Sequence, residues 1–300
     1  MGSFAMLSSN YPKLLGKYGI KCMQFNKLSP FAGIIMNNRD HRKMMIIDGH
    51  TVFSGGINIS DEYININSKL GVWKDNGIRI KGEAVWNFTV MFLEMWNSFK
   101  KEDNDYNKYK YNFTEKYKEN GFVVPYGESP LDDVITGEDI YLNIINQAKK
   151  YVYIYTPYLI IDTDMINSLI LAARRGVDVR IVVPGIPDKK IVYDLTSSYF
   201  YTLIKGGVKI YTYTNGFVHS KVFLSDDEIA TVGTINLDYR SLYLHFECGI
   251  YMKDTNVIKD IKKDFEDSFK ESHKVDEKEA KNGLFKGLWQ AILRLFAPMM

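Results

Sequence analysis

The 300-residue chain contains only two cysteines, Cys22 and Cys248, set too far apart for a C-x-x-C pair, so neither a disulfide framework nor a structural zinc site is supported. A reduced, intracellular setting fits that scarcity. Surplus charge is also missing: 38 Lys and Arg stand against 36 Asp and Glu, a net +2, which leaves no global positive field to drive non-specific nucleic-acid binding. Any phosphate chemistry must be local. There is no run of ~18 uncharged apolar residues. The opening MGSFAMLSSNYPKLLGKYGI lacks a basic region followed by an apolar stretch, so the chain as written shows neither a spanning helix nor a signal peptide. With 46% hydrophobic and 25% charged residues, disorder is excluded for most of the chain. The length suggests two domains of ~150 residues or one large one.

What is present is a repeat. HRKMMIIDGHTVFSGGIN (41–58) and HSKVFLSDDEIATVGTIN (219–236) both place Lys two, Asp seven, Gly fourteen and Asn seventeen residues after a His, at a constant offset of 178. Five residue types at fixed spacing arise by chance about once in a few million positions, and finding the set twice compounds that. MMII and VFLS read as strands, which points His and Lys, two apart, into one cleft. A turn after the Asp and a second short strand ending at Gly complete a hairpin, with Asn58 or Asn236 just beyond.

The alignment extends both ways. GIKCMQF (19–25) matches GVKIYTY (207–213), each read as a strand after a helix-like segment, with NKLSPFAGIIMNNRD and TNGFV as the unequal connections to the histidines. WKDNGIRI (73–80) matches HFECGIYM (245–252), which aligns Asp75 with Glu247. Only the second copy has an organised run before its motif: strand YVYIYTP, helix DTDMINSLILAARRG, strand VDVRIVVP and helix KKIVYDLTSSYFYTLIKGG, the alternation of a parallel sheet flanked by helices. The first copy lacks the counterpart of roughly half a domain. The expected division is therefore a first, incomplete repeat over 1–99, a polar connection over 100–121 with a surface helix as the alternative, a second, complete repeat over 122–270, and a tail over 271–300. In that tail, 270–283 reads as a solvated charged stretch, and LFKGLWQAILRLFAPMM as an amphipathic helix that either lies on a membrane surface or docks on the protein.

The residue types define a chemistry. A His beside a Lys, with no metal-ligand companion at i+2 or i+4, suits attack on an anionic phosphorus centre: the imidazole is a neutral nucleophile, and Lys43, Lys221, Asn58 and Asn236 supply donors to phosphate oxygens. Two copies give two imidazoles, one to attack and one to protonate the leaving oxygen and then activate the incoming hydroxyl. Each imidazole needs a partner to fix its tautomer, and Asp75 and Glu247 are the candidates. Asp48 and Asp226 belong to the motif and count with His41, Lys43, His219 and Lys221 as catalytic candidates, although their place at the far end of the strand suits stabilising the turn. His50, His245 and His273 fall outside the repeated lattice and are read as structural or surface residues. Cys248 reads as a small core residue, with a place in the site lining as the alternative. Arg174 and Arg175 close an amphipathic helix, where cations are favoured, and the Tyr-rich stretches read as strands.

The duplicated H-x-K-x4-D pattern resembles that of the phospholipase D superfamily. NNRDHRKMMIIDG, FSGGINISDEY, WKDNGIRIKG, YTPYLI, GTINLDYRSLYLHFECG and LRLFAPMM are similar to the blocks of bacterial cardiolipin synthases, over essentially the whole chain. The resemblance implies an α/β fold in which two repeats, each a mixed β-sheet flanked by helices, share one active site, the first repeat being incomplete here. It also implies two spanning helices and a full first repeat upstream, so that this sequence begins late in the family pattern. The implied activity is phosphatidyl transfer between two phosphatidylglycerol molecules, giving cardiolipin and glycerol. By resemblance His41 would form the phosphatidyl-histidine and His219 would protonate the departing glycerol, with the roles exchangeable, and Arg240 and Ser241 would line the substrate channel. No metal or organic cofactor is implied. The implied partners are phosphatidylglycerol and the membrane surface, not nucleic acid, at the cytoplasmic side of the cell membrane. A phospholipase D-type hydrolase or nuclease, and an inactive fragment of such an enzyme, are the alternatives.

Overall fold

The computed structural model describes residues 7–26, 38–66, 68–100, 105–115, 117 and 120–299. In chain order the elements are α1 (Tyr11–Lys17), β1 (Met44–Ile47), β2 (Thr51–Gly55), β3 (Val72–Lys74), β4 (Gly77–Lys81), α2 (Val85–Phe99), β5 (Phe122–Glu128), α3 (Thr136–Gln147), β6 (Tyr151–Tyr155), β7 (Leu159–Ile160), α4 (Thr163–Arg174), β8 (Asp178–Pro184), α5 (Lys190–Ser198), α6 (Phe200–Lys205), β9 (Lys209–Tyr213), β10 (Gly216–Val218), β11 (Val222–Ser225), β12 (Ile229–Gly233), β13 (Leu237–Asp238), α7 (Tyr239–Tyr243), β14 (Glu247–Lys253), α8 (Ile258–Lys270), β15 (Ser272–Lys274), α9 (Glu277–Ala280) and α10 (Leu284–Leu295).

The second repeat is built on an eight-stranded mixed sheet in the order β15-β9-β8-β6-β11-β12-β14-β5. Strands β6, β8 and β9 run parallel, as the alternation of strand and helix predicts, and β11, β12, β14 and β5 continue antiparallel. The central strands β8, β6, β11, β12 and β14 are largely buried on both faces, and their side chains divide with period two. In β6, Val152 and Ile154 enter one core with α3 to α6, while Tyr151, Tyr153 and Tyr155 enter the other with α8. Stacked rings pin a helix to each face: Tyr141 of α3 on Phe223 at 4.0 Å, and Phe265 of α8 on Tyr155 at 3.9 Å.

The first repeat has a three-stranded antiparallel sheet, β1-β2-β4. It is the counterpart of β11-β12-β14: β1 and β2 map onto β11 and β12 at the offset of 178. Val52, Ile80, Val85 and Phe88 of the first repeat share a core with Val222, Val232, Ile250 and Phe265 of the second. One apolar layer therefore joins the two sheets. Strand β11 has β6 on its far side, whereas among the described residues β1 has only β2.

Several local expectations change. Residues 20–25 form no ladder, because no strand among the described residues lies beside them, whereas β9 is held between β8 and β15. Most of the connection to His41, residues 27–37, lies outside the described residues. The charged stretch 270–283 is partly ordered: β15 pairs with β9, and α9 opens on a capping box in which Asp276 and Glu279 satisfy each other's backbone N–H groups. Tyr199 divides the single helix expected over 189–207 into α5 and α6. Of the connection 100–121, residues 100, 105–115, 117 and 120–121 are described; Tyr106–Tyr109 make one 3-10 turn, and Tyr111 and Phe113 pack their rings against His50.

Candidate active site

The two histidines lie just ahead of β1 and β11, where short backbone pairings lock the repeats together. Asp40 bridges Phe246, and the His41 N–H donates to the Phe246 carbonyl at 2.9 Å. Symmetrically, β10 runs parallel to β3 with Val218 opposite Lys74, and the His219 N–H donates to the Lys74 carbonyl at 2.7 Å. Phe246 and Lys74 immediately precede Glu247 and Asp75. Each carboxylate is thereby delivered to the histidine of the other repeat: His41 Nδ1 donates to both Glu247 oxygens at 2.8 and 2.9 Å, and His219 Nδ1 donates to Asp75 Oδ2 at 2.8 Å. A carboxylate can only accept here, so the proton sits on Nδ1 and each Nε2 keeps its lone pair for chemistry.

Electrostatics keep both rings neutral. Burial lowers the His219 pKa to about 3; Lys221 lowers it further and Asp75 opposes. Burial also lowers His41, with Glu247 opposing and Lys43 and Lys221 adding to the fall. Lys221 acts on His41 as well as on His219, and Lys43 does the same, which puts all four motif side chains in one electrostatic site. Lys221 is 2% exposed, and burial brings it down to about 7. Its Nζ donates to the His219 carbonyl, as Lys43 Nζ donates to the His41 carbonyl at 2.6 Å. Lys221 Nζ also lies 2.9 Å from His219 Nδ1, but that nitrogen's single hydrogen faces Asp75, so this approach is close packing of a cation rather than a second donated bond. Burial pushes Glu247 up, yet His41, His245 and Lys43 outweigh it and hold the carboxyl well below the usual range.

The remaining expected residues divide. Asn236 donates to Asp238 at 2.9 Å and leaves its buried Oδ1 unpaired, while Asn58 donates to the Tyr63 hydroxyl at 2.6 Å. Asp226 sits at the other end of β11, where its carboxylate accepts from the backbone N–H groups of Lys149, Lys150 and Tyr151 at 2.7, 2.8 and 2.9 Å. Asp48 holds the corresponding turn at φ 52°, matching Asp226 at 57°. Ser241 is fully buried on α7, where its N–H donates to Asp238, and Arg240 stands beside it. Cys248 is buried with Sγ 3.8 Å from Ser54 Oγ, and burial pushes its thiol to about 11.

Sequence reasoning missed residues that line the histidines. Tyr63, Trp73 and Phe217 surround His219 with ring centroids at 5.2, 5.7 and 6.0 Å. His245, expected to be structural or surface, lies with its ring 5.5 Å from His41 and its Nδ1 3.6 Å from Glu247. The signal was in the repeat itself: matching WKD with HFE puts Trp73 opposite His245, two residues before each carboxylate. Among the described residues, His41, His245 and Glu247 are the group able to hold a metal ion, with donor atoms within 4.8 Å of one another. An ion there would have to displace the bonds that Glu247 already accepts from His41 and, at 2.5 Å, from Thr234.

Residues 141–269 match the family described as "Cardiolipin synthase, PLD-like domain". The chain is 51% identical over 265 residues to an uncharacterized protein of Streptococcus mutans serotype c, covering 87% of this chain and 57% of that one. It is 42% identical over 243 residues to cardiolipin synthase 1 of Staphylococcus aureus strain MRSA252, covering 78% of this chain and 47% of the relative. The chain thus spans about half the length of these curated relatives. In fold it is similar to the crystal structure of phosphatidylserine synthase from Haemophilus influenzae Rd KW20, with a TM-score of 0.63 at 16% identity, over 87% of this chain and 68% of that one.

Proposed function

We propose, from the premise that this chain belongs to the phospholipase D superfamily, that it carries out phosphatidyl transfer of the cardiolipin synthase kind. The observation that carries the reading is the crossed pair of His–carboxylate contacts, which leaves each histidine a free Nε2 lone pair, with Lys43 and Lys221 close enough to act on both rings. The Nε2 of one histidine, His41 by family resemblance, attacks the phosphorus of a first phosphatidylglycerol. The bond from phosphorus to the glycerol headgroup breaks as the other histidine, which has taken up a proton at Nε2 once the anionic substrate is bound, passes that proton to the departing oxygen. That second histidine, His219 in this assignment, then takes the proton of a hydroxyl on another phosphatidylglycerol. The resulting oxygen displaces the histidine, giving cardiolipin and free glycerol. Lys43, Lys221, Asn58 and Asn236 hold the phosphate oxygens while charge moves between them.

An anionic phosphate entering this site supplies the negative charge that the buried cations lack, and it raises the proton affinity of the acid histidine. The membrane, at its cytoplasmic face, is the setting this substrate implies. The test is incubation with phosphatidylglycerol vesicles, following glycerol release and cardiolipin formation. Turnover is expected to fall at least about a thousandfold in His219→Ala and to persist in EDTA, because no step uses a metal. Release of free phosphatidic acid without cardiolipin would establish hydrolysis instead, and cleavage of nucleic acid without lipid turnover would overturn the lipid reading.

A further inference from the structure

Helix α10 is docked in the reverse of the usual sense. Its polar side faces the protein: Gln290 donates to the Asp194 carbonyl at 3.0 Å and to Ser197 Oγ at 3.1 Å, and Arg294 Nε donates to Ser198 Oγ at 2.9 Å with its guanidinium 4.6 Å over the Tyr199 ring. Leu293 and the following Ala297 are its fully buried apolar residues, and Trp289, half covered, points its Nε1 at Asp194 Oδ2 3.4 Å away. The apolar side, Leu284, Phe285, Leu288, Ile292, Leu295 and Phe296, points away, with Leu284 85% and Phe285 89% exposed. A patch this continuous on a helix end marks an interaction surface. From Lys281 to the last residue the chain has Lys281, Lys286 and Arg294 and no Asp or Glu.

We propose that α10 is an interfacial anchor whose apolar face enters the acyl boundary of an anionic phospholipid surface. The charge of the segment selects that occupant, since Arg294 is spent on α5 but Lys281 and Lys286 are exposed, with no acid in the segment, to meet anionic headgroups. Twelve residues of helix span about 18 Å, too short to cross a bilayer but long enough to lie in its interface. The same α5 that seats α10 reaches the site from its other side: Tyr193 and Thr196 line a hollow with Phe217, the ring packed against His219. The anchor would hold the mouth of the site next to its lipid.

Co-sedimentation with vesicles of equal phosphatidylglycerol and phosphatidylcholine, and with phosphatidylcholine alone, tests this without requiring turnover. The wild type is expected to bind the anionic vesicles and to release as salt rises. Phe285→Glu with Leu288→Glu, and separately Lys281→Glu with Lys286→Glu, should each lower the partition about tenfold or more while leaving thermal unfolding unchanged. Turnover of detergent-dispersed phosphatidylglycerol should survive in both variants; if no protein turns lipid over, the reading of the reaction fails and the binding result still stands. Equal vesicle binding by wild type and variants would overturn the proposal. So would a lipid-free dimer in sedimentation velocity that the Phe285→Glu, Leu288→Glu variant dissolves, because the face would then belong to a second copy.

Discussion

Gly56 and Thr234 occupy the same place in the two repeats, and their difference explains how carboxylates of unequal length do the same task. A Cβ on Gly56 would meet Asp75 Oδ1 at 2.1 Å, so the shorter acid reaches His219 only because nothing stands there. Thr234 instead gives its hydroxyl to Glu247, and the longer side chain is tied on two sides. Lys221 shows the opposing cost. A buried cation with no carboxylate ion pair among the described residues works against folding, a cost that the proposed phosphate contact would explain. Lys221→Met is therefore expected to abolish lipid turnover yet to raise unfolding stability by on the order of 1–3 kcal/mol near pH 6, read from chemical denaturation. The folded pKa of about 7 lies below the ordinary 10.5, so between those values the unfolded chain carries the extra proton and wild-type stability rises with pH. The advantage of the methionine variant should shrink accordingly from pH 7 to 10, and an advantage independent of pH would sink this account. The His-Lys pairs were legible because two copies exposed them; Tyr63, which packs on His219, was not, since it lies on a 3-10 turn whose counterpart at the offset of 178 is Ser241 on α7.

At the scale of elements, the hairpins β1-β2 and β11-β12 explain why one motif contains residues with separate work. Four residues of strand part Lys221 from Asp226, so the His-Lys end faces the site and the Asp end faces the start of β6. There the carboxylate of Asp226 gathers three backbone N–H groups where the chain leaves α3 for a central strand. Asp226→Ala should cost on the order of 2 kcal/mol, seen as a lower urea midpoint, with activity per folded molecule falling far less than in His219→Ala. Equal specific-activity losses in the two variants would give Asp226 a chemical part. The strands and helices of the second repeat were readable because the buried strands are short and rich in β-branched or aromatic residues, and several, such as β8 and β12, start or stop at Gly or Pro. What the pattern could not show was order imposed from outside: β15 is a strand only because β9 offers an edge, and α10 keeps its apolar face outward because polar groups on α5 hold the other one.

At the scale of the molecule, the duplication announced a shared site, but not which half would complete which. His41 and Glu247 are 206 residues apart and His219 and Asp75 are 144 apart, so no local spacing encodes the crossing; it follows from β10 pairing with β3 and Asp40 with Phe246. Contacts of such separation are slow to form. After dilution from denaturant, the sheet signal in circular dichroism should return before lipid turnover does, and simultaneous recovery would show that the halves dock as early as the strands pair. The crossing also settles how the protein fails. A half that has not met its partner holds an imidazole with no carboxylate on Nδ1, and so with no fixed tautomer to aim its lone pair. Under the proposed reaction, misassembly then ends in silence rather than in stray cleavage of the lipids around it.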